Sequence, residues 1–253
     1  MNPMQFFSAA AALVIGAGVA MAADANDPVF YLSFDTEKDG AEVCSDRMKP
    51  DRVCKLINPK RITFADGKVG KTMEIDNPLV KRGTKEDPMA GVLVPGFWDA
   101  DFAKAMSIEV WVKIAKDVDY RRQFMYIAQC GYQYGFGFSL FYNGSNIVFL
   151  SGTADKQAES VYVFVPVTDL RGEWTHIAAT YDGEKKLAKV YINGEFVKET
   201  ENFVITPPKN RHQPLRIGSS GNARGWRGAI DELKIYKRVL TPAEILQHAK
   251  LEL

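Results

Sequence analysis

The groups able to do chemistry in this sequence are few and spread along it. His176, His212 and His248 have no serine or cysteine beside them in a nucleophile-elbow context. Cys44, Cys54 and Cys130 show neither a CxxC spacing nor a catalytic pairing with histidine. Aromatic side chains with basic neighbours are better placed. Tyr132 and Tyr134 flank Gln133 in GYQYG, and Arg224, Trp226 and Arg227 cluster in NARGWRG. Sugars expose C–H faces that stack on aromatic rings, while flanking polar groups bond the hydroxyls. Both stretches are glycine-rich and read as loops, where binding residues concentrate on β scaffolds. Tyr132, Tyr134, Arg224 and Trp226 are therefore the expected ligand-binding set.

The elements that must position these loops are strands. SIEVWVKI (107–114) alternates, with Ile108, Val110, Val112 and Ile114 on one side and Glu109, Trp111 and Lys113 on the other. WTHIAATYDGEKKLAKVYINGEFVKE (174–199) holds three short apolar-rich runs joined by Asp-Gly and Asn-Gly, and Asn-Gly is a strong hairpin signal because both residues tolerate positive φ. Trp111, Trp174, Tyr191, His176 and Lys189 fall opposite the aliphatic stripes, where packing residues under loops or a terminal helix are expected. FWDADFAKAM (97–106) reads as a short helical turn, and residues 36–68 as a charged, proline-bearing insertion. TPAEILQHAK closes the chain as a helix, with Thr241 as cap, Pro242 at the first position and Glu244 three residues after the cap. About a dozen short strands and one helix point to an all-β, two-sheet sandwich or jelly roll.

Composition narrows the partners. With 32 basic and 31 acidic residues in 253, the net charge of +1 gives no basic surplus for nucleic acid or an anionic membrane. Residues 1–22 carry no charged side chain, are apolar from Phe6 to Val19, and end in Ala20-Met21-Ala22. They read as a secretory signal peptide cleaved before Ala23, with an uncleaved anchor as the rival reading; the n-region has no Lys or Arg. One domain over 23–253 is expected, exported to the periplasm, the cell surface or the medium, with no membrane insertion after cleavage. Export makes a Cys44–Cys54 disulfide the expected state of the CSDRMKPDRVC loop, worth about 2–3 kcal/mol, against the alternative of two free thiols. Cys130 then reads as a buried free thiol.

Four stretches in order resemble one family. WTHIAATYDGEKKLAKVYINGEFV, SIEVWVKI, LRIGSSG followed by WRGAIDELKIYKRVLTPAEI, and the opening PVFYLSFD are similar to the motifs of laminin-G-like jelly rolls of the concanavalin A-like superfamily. The resemblance covers about residues 28–249, and the insertion at 36–68 departs from it. It implies antiparallel sheets in which first and last strands lie side by side, hiding the edges. It also implies one structural calcium between Asp35 and Asp231, supplemented by backbone carbonyls and water. Without calcium, Asp35 reads as a turn cap and Asp231 as a surface ion pair.

The resemblance includes enzymes of the laminarinase type, which carry E-x-D-x-E on one strand. Here the matching stretch is Ala229-Ile230-Asp231-Glu232-Leu233, apolar at both glutamate positions, and alginate-lyase signatures are missing too. The expectation is an exported, non-catalytic module binding carbohydrate or a cell-surface glycan. A structural or adhesive protein-binding domain is the first alternative, and a glycan-cleaving enzyme with unrecognised carboxylates the second.

Overall fold

The computed structural model describes residues 27–251, apart from 80–82, 85–86, 120–123, 132–135, 152–160, 168 and 208–211. The expected signal segment, and Tyr132 and Tyr134, lie outside the described residues. Along the chain come β1 (Phe30–Leu32), β2 (Val43–Cys44), β3 (Cys54–Ile57), β4 (Ile62–Asp66), β5 (Lys71–Asp76), β6 (Gly91–Val94), β7 (Ala105–Ile114) and β8 (Met125–Cys130). Then follow β9 (Phe138–Tyr142), β10 (Asn146–Ser151), β11 (Val161–Pro166), β12 (Thr175–Asp182), β13 (Leu187–Ile192), β14 (Glu195–Glu201), β15 (Leu215–Ile217) and β16 (Arg227–Tyr236). A short 3-10 turn at Ala100–Ala103 fulfils the expectation for FWDADFAKAM.

The strand ladders are antiparallel and form two sheets. Sheet A runs β14-β13-β12-β7-β16-β5-β4, with β1 also on β16; sheet B runs β11-β10-β9-β8-β15-β6-β3-β2. Chain entry and exit meet as expected, with Phe30 opposite Ile235 and Leu32 opposite Leu233. A bulge between Asp231 and Lys234 makes this possible, because it turns β16 from β5 at Arg227–Ile230 to β1 at Leu233–Ile235. Glu232 sits in that bulge at φ 49°. The insertion at 36–68 is not a separate loop: it supplies β2 and β3 to the edge of sheet B and β4 to the edge of sheet A. Its charged residues hid the short alternations CKLI and ITFAD.

The core is the layer between the sheets. Ile108, Val110, Val112 and Ile114 of β7 point into it with Ile177 and Ala179 of β12, as their alternation requires. Asn193 and Gly194, at φ 51° and 85°, make the tight β13–β14 turn.

The helix α1 (Pro242–Lys250) packs against the other side of sheet A. Thr241 caps it, its hydroxyl accepting from Glu244 N while the Glu244 carboxylate accepts from Thr241 N, the reciprocal cap that the sequence spacing predicts. Ile245 of the helix joins Leu240, Tyr236, Tyr191 and Ala178 in a second buried apolar cluster. The close approach needs Gly194, where a Cβ would stand 2.9 Å from Leu246 Cδ1 and 3.1 Å from Ala249 Cβ.

Candidate functional site

Of the residues expected to bind ligand, Arg224 and Trp226 are described, and they turn in opposite directions. Trp226 is a core residue with no exposed surface, and its indole N–H donates to the Ala229 carbonyl at 3.1 Å. It has no face to offer a sugar, so its place in the binding set is corrected. The glycine-rich loop signal around it was real, but the ring turns inward from that loop. Arg224, in a left-handed conformation (φ 55°), turns the other way. Its guanidinium lies over Phe124 at 5.1 Å and Tyr126 at 5.8 Å, and Nη1 donates to the Tyr126 hydroxyl at 3.2 Å.

Asp35 and Asp231 do converge, on the turn between β4 and β5. Asp231 Oδ2 accepts from Lys68 N at 2.8 Å and Val69 N at 3.2 Å, and Oδ1 from Glu232 N. Asp35 Oδ1 accepts from Lys71 N at 3.0 Å, and Oδ2 lies 3.5 Å from Arg47. Gly67 and Gly70 leave room for both carboxylates: a Cβ would stand 2.6 Å from Asp231 Oδ2 at one and 2.0 Å from Asp35 Oδ1 at the other. Asp231 is fully buried rather than on the surface, and burial pushes its carboxyl up to about 7, with Glu232 adding to the effect. Backbone N–H groups already donate to both Asp231 oxygens, and the room left by Gly67 and Gly70 is taken up by the two carboxylates themselves. Among the described residues, no group of three or more His, Cys, Asp or Glu is arranged to hold a metal. Any calcium would thus draw on Asp35, Asp231 and oxygens that are not side-chain carboxylates.

Cys44 and Cys54 stand directly opposite one another across β2 and β3. Both are buried and are free thiols in this structure, so the expected disulfide is not formed here. Contact with Cys54, together with burial, pushes the Cys44 thiol up. Cys130 is buried and free, as expected, and burial pushes its thiol up.

On the outer face of sheet A two of the three histidines, His176 and His248, meet a carboxylate. Glu109 is 1% exposed. Its Oε2 is 2.9 Å from His248 Nδ1 of α1 and 3.7 Å from His176 Nε2 of β12. Its Oε1 accepts from the Tyr236 hydroxyl at 2.8 Å and lies 4.0 Å from Lys234 Nζ. Burial alone would raise the Glu109 carboxyl; His176, His248 and Lys234 outweigh it and hold the group well below the usual carboxylate range. Lys234 also reaches Glu232 at 3.4 Å, and Glu232 accepts from the Tyr31 hydroxyl at 2.6 Å. Sequence reasoning missed this cluster because its members lie up to 139 positions apart. The one local signal was Glu109 at an outward position of a β7 otherwise rich in apolar residues.

Beside this cluster the same face opens into a groove of about 640 Å³ over the ends of β4, β5, β16 and β7. Glu74, Gly228 and Ala229 are among its lining residues, and Arg61, Lys113 and Arg227 bring cations to it. Arg227 donates to Asp117 at 2.6 Å and lies 3.3 Å from Asp76; both carboxylates are largely exposed. Lys113 Nζ sits 4.9 Å over the partly exposed ring of Trp174. Trp111, by contrast, is 6% exposed, packed 5.3 Å from His176 and covered by Lys68 at 4.4 Å, so it packs as the sequence suggested.

The family model Laminin_G_3, concanavalin A-like lectin/glucanases superfamily, matches residues 90–246. Pappalysin-1 of Mus musculus is 31% identical over 101 residues, 39% of this chain and 6% of that protein; Pappalysin-1 of Homo sapiens is 30% identical over the same length. The chain thus spans a small fraction of these curated relatives. Domain 4 of AbnA, a GH43 extracellular arabinanase from Geobacillus stearothermophilus in complex with arabinotriose, superposes with a TM-score of 0.64 at 22% identity, over 88% of this chain and 98% of that one. The binding domain of botulinum neurotoxin DC in complex with SialylT gives 0.64 at 12% identity, over 90% and 52%. At such identities the likeness shows the fold. With the family model covering more than half its length, the chain belongs to the laminin-G-like branch of the concanavalin A-like lectin/glucanases superfamily.

Proposed function

We propose that the chain is an exported, non-catalytic carbohydrate-binding module whose sugar lies in the groove on sheet A. The observation that carries this reading is the groove itself: about 640 Å³, lined by Arg61, Lys113 and Arg227 with Glu74, Asp76 and Asp117. A volume of that order suits a short oligosaccharide. Arg227 and the exposed carboxylates of Asp76 and Asp117 can exchange hydrogen bonds with sugar hydroxyl groups. Arabinotriose in AbnA domain 4 and SialylT on the neurotoxin domain support a saccharide on this fold.

A non-catalytic role fits the carboxylates. Glu109 is sealed beneath Tyr236 and His248, and Glu232 is 7% exposed with one oxygen on Tyr31. Neither is placed to protonate a glycosidic oxygen in the groove; Glu74, Asp76 and Asp117 line the groove itself, and Arg227 engages the last two as ion pairs. In this reading calcium binds at Asp35 and Asp231 and pins the β4–β5 turn to the junction of β1 and β16. Outside the cell, Cys44 and Cys54 form their disulfide; intact mass of the mature protein before and after alkylation checks both cleavage before Ala23 and the link.

Titration of the secreted protein with neutral, acidic and sulfated oligosaccharides tests the reading, with Arg227→Gln as the groove variant. Binding that weakens at least tenfold in Arg227→Gln at unchanged melting temperature is the expected result. Capture of a surface protein with no saccharide bound would replace this reading by the adhesive one.

A further inference from the structure

We propose that the cavity between the 36–68 insertion and the entry to β1 is a second site, taking an aromatic carboxylic acid. It shares no residue with the groove on sheet A and holds about 310 Å³, the lower end of small-molecule sites. Segments far apart in sequence build it: Val29 before β1, Met48 and Arg52 of the insertion, and Phe97 and Phe102 at the 3-10 turn. The insertion is the part of the chain that departs from the family motifs, so this cavity is no part of the common fold.

Its walls are held in place before any ligand arrives. Asp46 is fully buried and accepts from Tyr31 N at 3.1 Å, Met48 N at 3.0 Å and Arg52 Nη1 at 2.6 Å. These bonds fasten the 46–52 turn to β1. Arg52 Nη1 also donates to the Val29 carbonyl at 3.2 Å, and the guanidinium lies over Phe30 at 5.4 Å and Phe97 at 5.5 Å. Phe97 stacks on Phe102 at 5.6 Å and closes the floor. Val29 and Met48 are half-buried and give a ring walls that it can reach, and the Met48 thioether favours an aromatic neighbour. A ligand entering here adds little ordering cost.

The charges select the head group. Arg52 is engaged through Nη1 alone, so Nε and Nη2 keep their N–H donors, the edge that grips a carboxylate with two parallel bonds. Those nitrogens are not among the sealed, partnerless side-chain atoms of the described residues, which are Ser151 Oγ, His176 Nδ1 and Glu232 Oε1. Of the cavity's carboxylates, Asp99 is matched by Lys237 at 3.0 Å, and Asp27 at the rim has a partner too. Lys49, exposed at the mouth, makes no ion pair among the described residues. A carboxylate between Arg52 and Lys49, with its ring against Met48 and Val29, satisfies both cations and covers the apolar walls.

Amide chemical-shift mapping of the isotopically labelled mature chain tests the site with three probes of one shape: phenylpropanoate, phenylpropanol and phenylpropylammonium. The expected result is shifts at Val29, Met48 and Phe97 rather than at Glu74 and Arg227 of the groove. The carboxylate should bind at least fivefold more tightly than the alcohol, the ammonium most weakly, and the carboxylate's affinity should fall as salt rises. Met48→Trp should fill the cavity and abolish binding. Lys49→Glu, an exposed change that keeps the reading if Met48→Trp fails to fold, should weaken the carboxylate at least tenfold. The site is overturned if the carboxylate shifts none of these residues or only those of the groove, if the ammonium binds as tightly, or if Lys49→Glu leaves binding unchanged.

Discussion

The outer faces of the two sheets handle polar groups in opposite ways. On sheet A, Glu109 is ringed by His176, His248, Tyr236 and Lys234, and Asp231 by three backbone N–H groups. On sheet B, Gln129 and Ser139 are buried at 6% and 2% exposure beside an apolar cluster of Tyr126, Phe141, Val148 and Leu150. A buried polar group that is fully hydrogen-bonded holds elements together, and its removal leaves its partners stranded. Sheet A's cluster ties α1 to the fold, whereas the outward side of sheet B has no acidic residue in its strands and packs into an apolar cluster of its own.

The largest effect should come from removing the anion on which sheet A's cluster converges. Glu109→Ala leaves the Tyr236 hydroxyl and His248 without their acceptor and Lys234 with Glu232 alone, and should cost about 3–5 kcal/mol in a denaturant melt. A loss under 1 kcal/mol would show that the cluster does not hold α1. Trp226→Ala should cost a similar ~3–5 kcal/mol by opening a cavity, separating a core ring from a ligand platform.

Acid should resolve the two carboxylates within sheet A. Glu109 is held below its unfolded value of 4.5, so its contribution is present above pH 4.5 and is lost as pH falls further. Asp231 is raised from 3.8 to about 7, so the cost of its buried charge is present above pH 7 and is relieved as pH falls toward 4. Melting in chelator should therefore show stability rising from pH 8 to about pH 5 and falling below pH 4. Asp231→Asn should remove the rise, worth at most about 4 kcal/mol, and keep the acid fall. Calcium should flatten the rise in the unaltered protein by neutralising Asp231, and raise its melting temperature at pH 7.5; an unchanged melt would remove calcium from this account.

The smallest effect should be on sheet B. Lys55→Gln, at an exposed position of β3, should shift stability by less than about 0.5 kcal/mol, as surface substitutions do. A loss of several kcal/mol would place Lys55 with the structural residues.

What the sequence determined by itself was whatever is local. Alternation in SIEVWVKI, the Asn193-Gly194 turn and the Thr241–Glu244 cap rest on neighbours within a few residues, and all stand as read. The outward placing of Trp111, His176 and Tyr191 also followed from period two, since a strand has only two sides. Tertiary structure alone decided which outward residues meet. Whether a glycine-flanked tryptophan turns in or out depends on what fills the space beneath it, so Trp226 misread as a binding residue. His248 finds Glu109 only because α1 folds back over sheet A, and Arg216 lies beside Gln129 only because β15 inserts between β8 and β6. Local pattern chooses the face of a strand, but strand order chooses its neighbours, and that order is set by the packing of the whole chain.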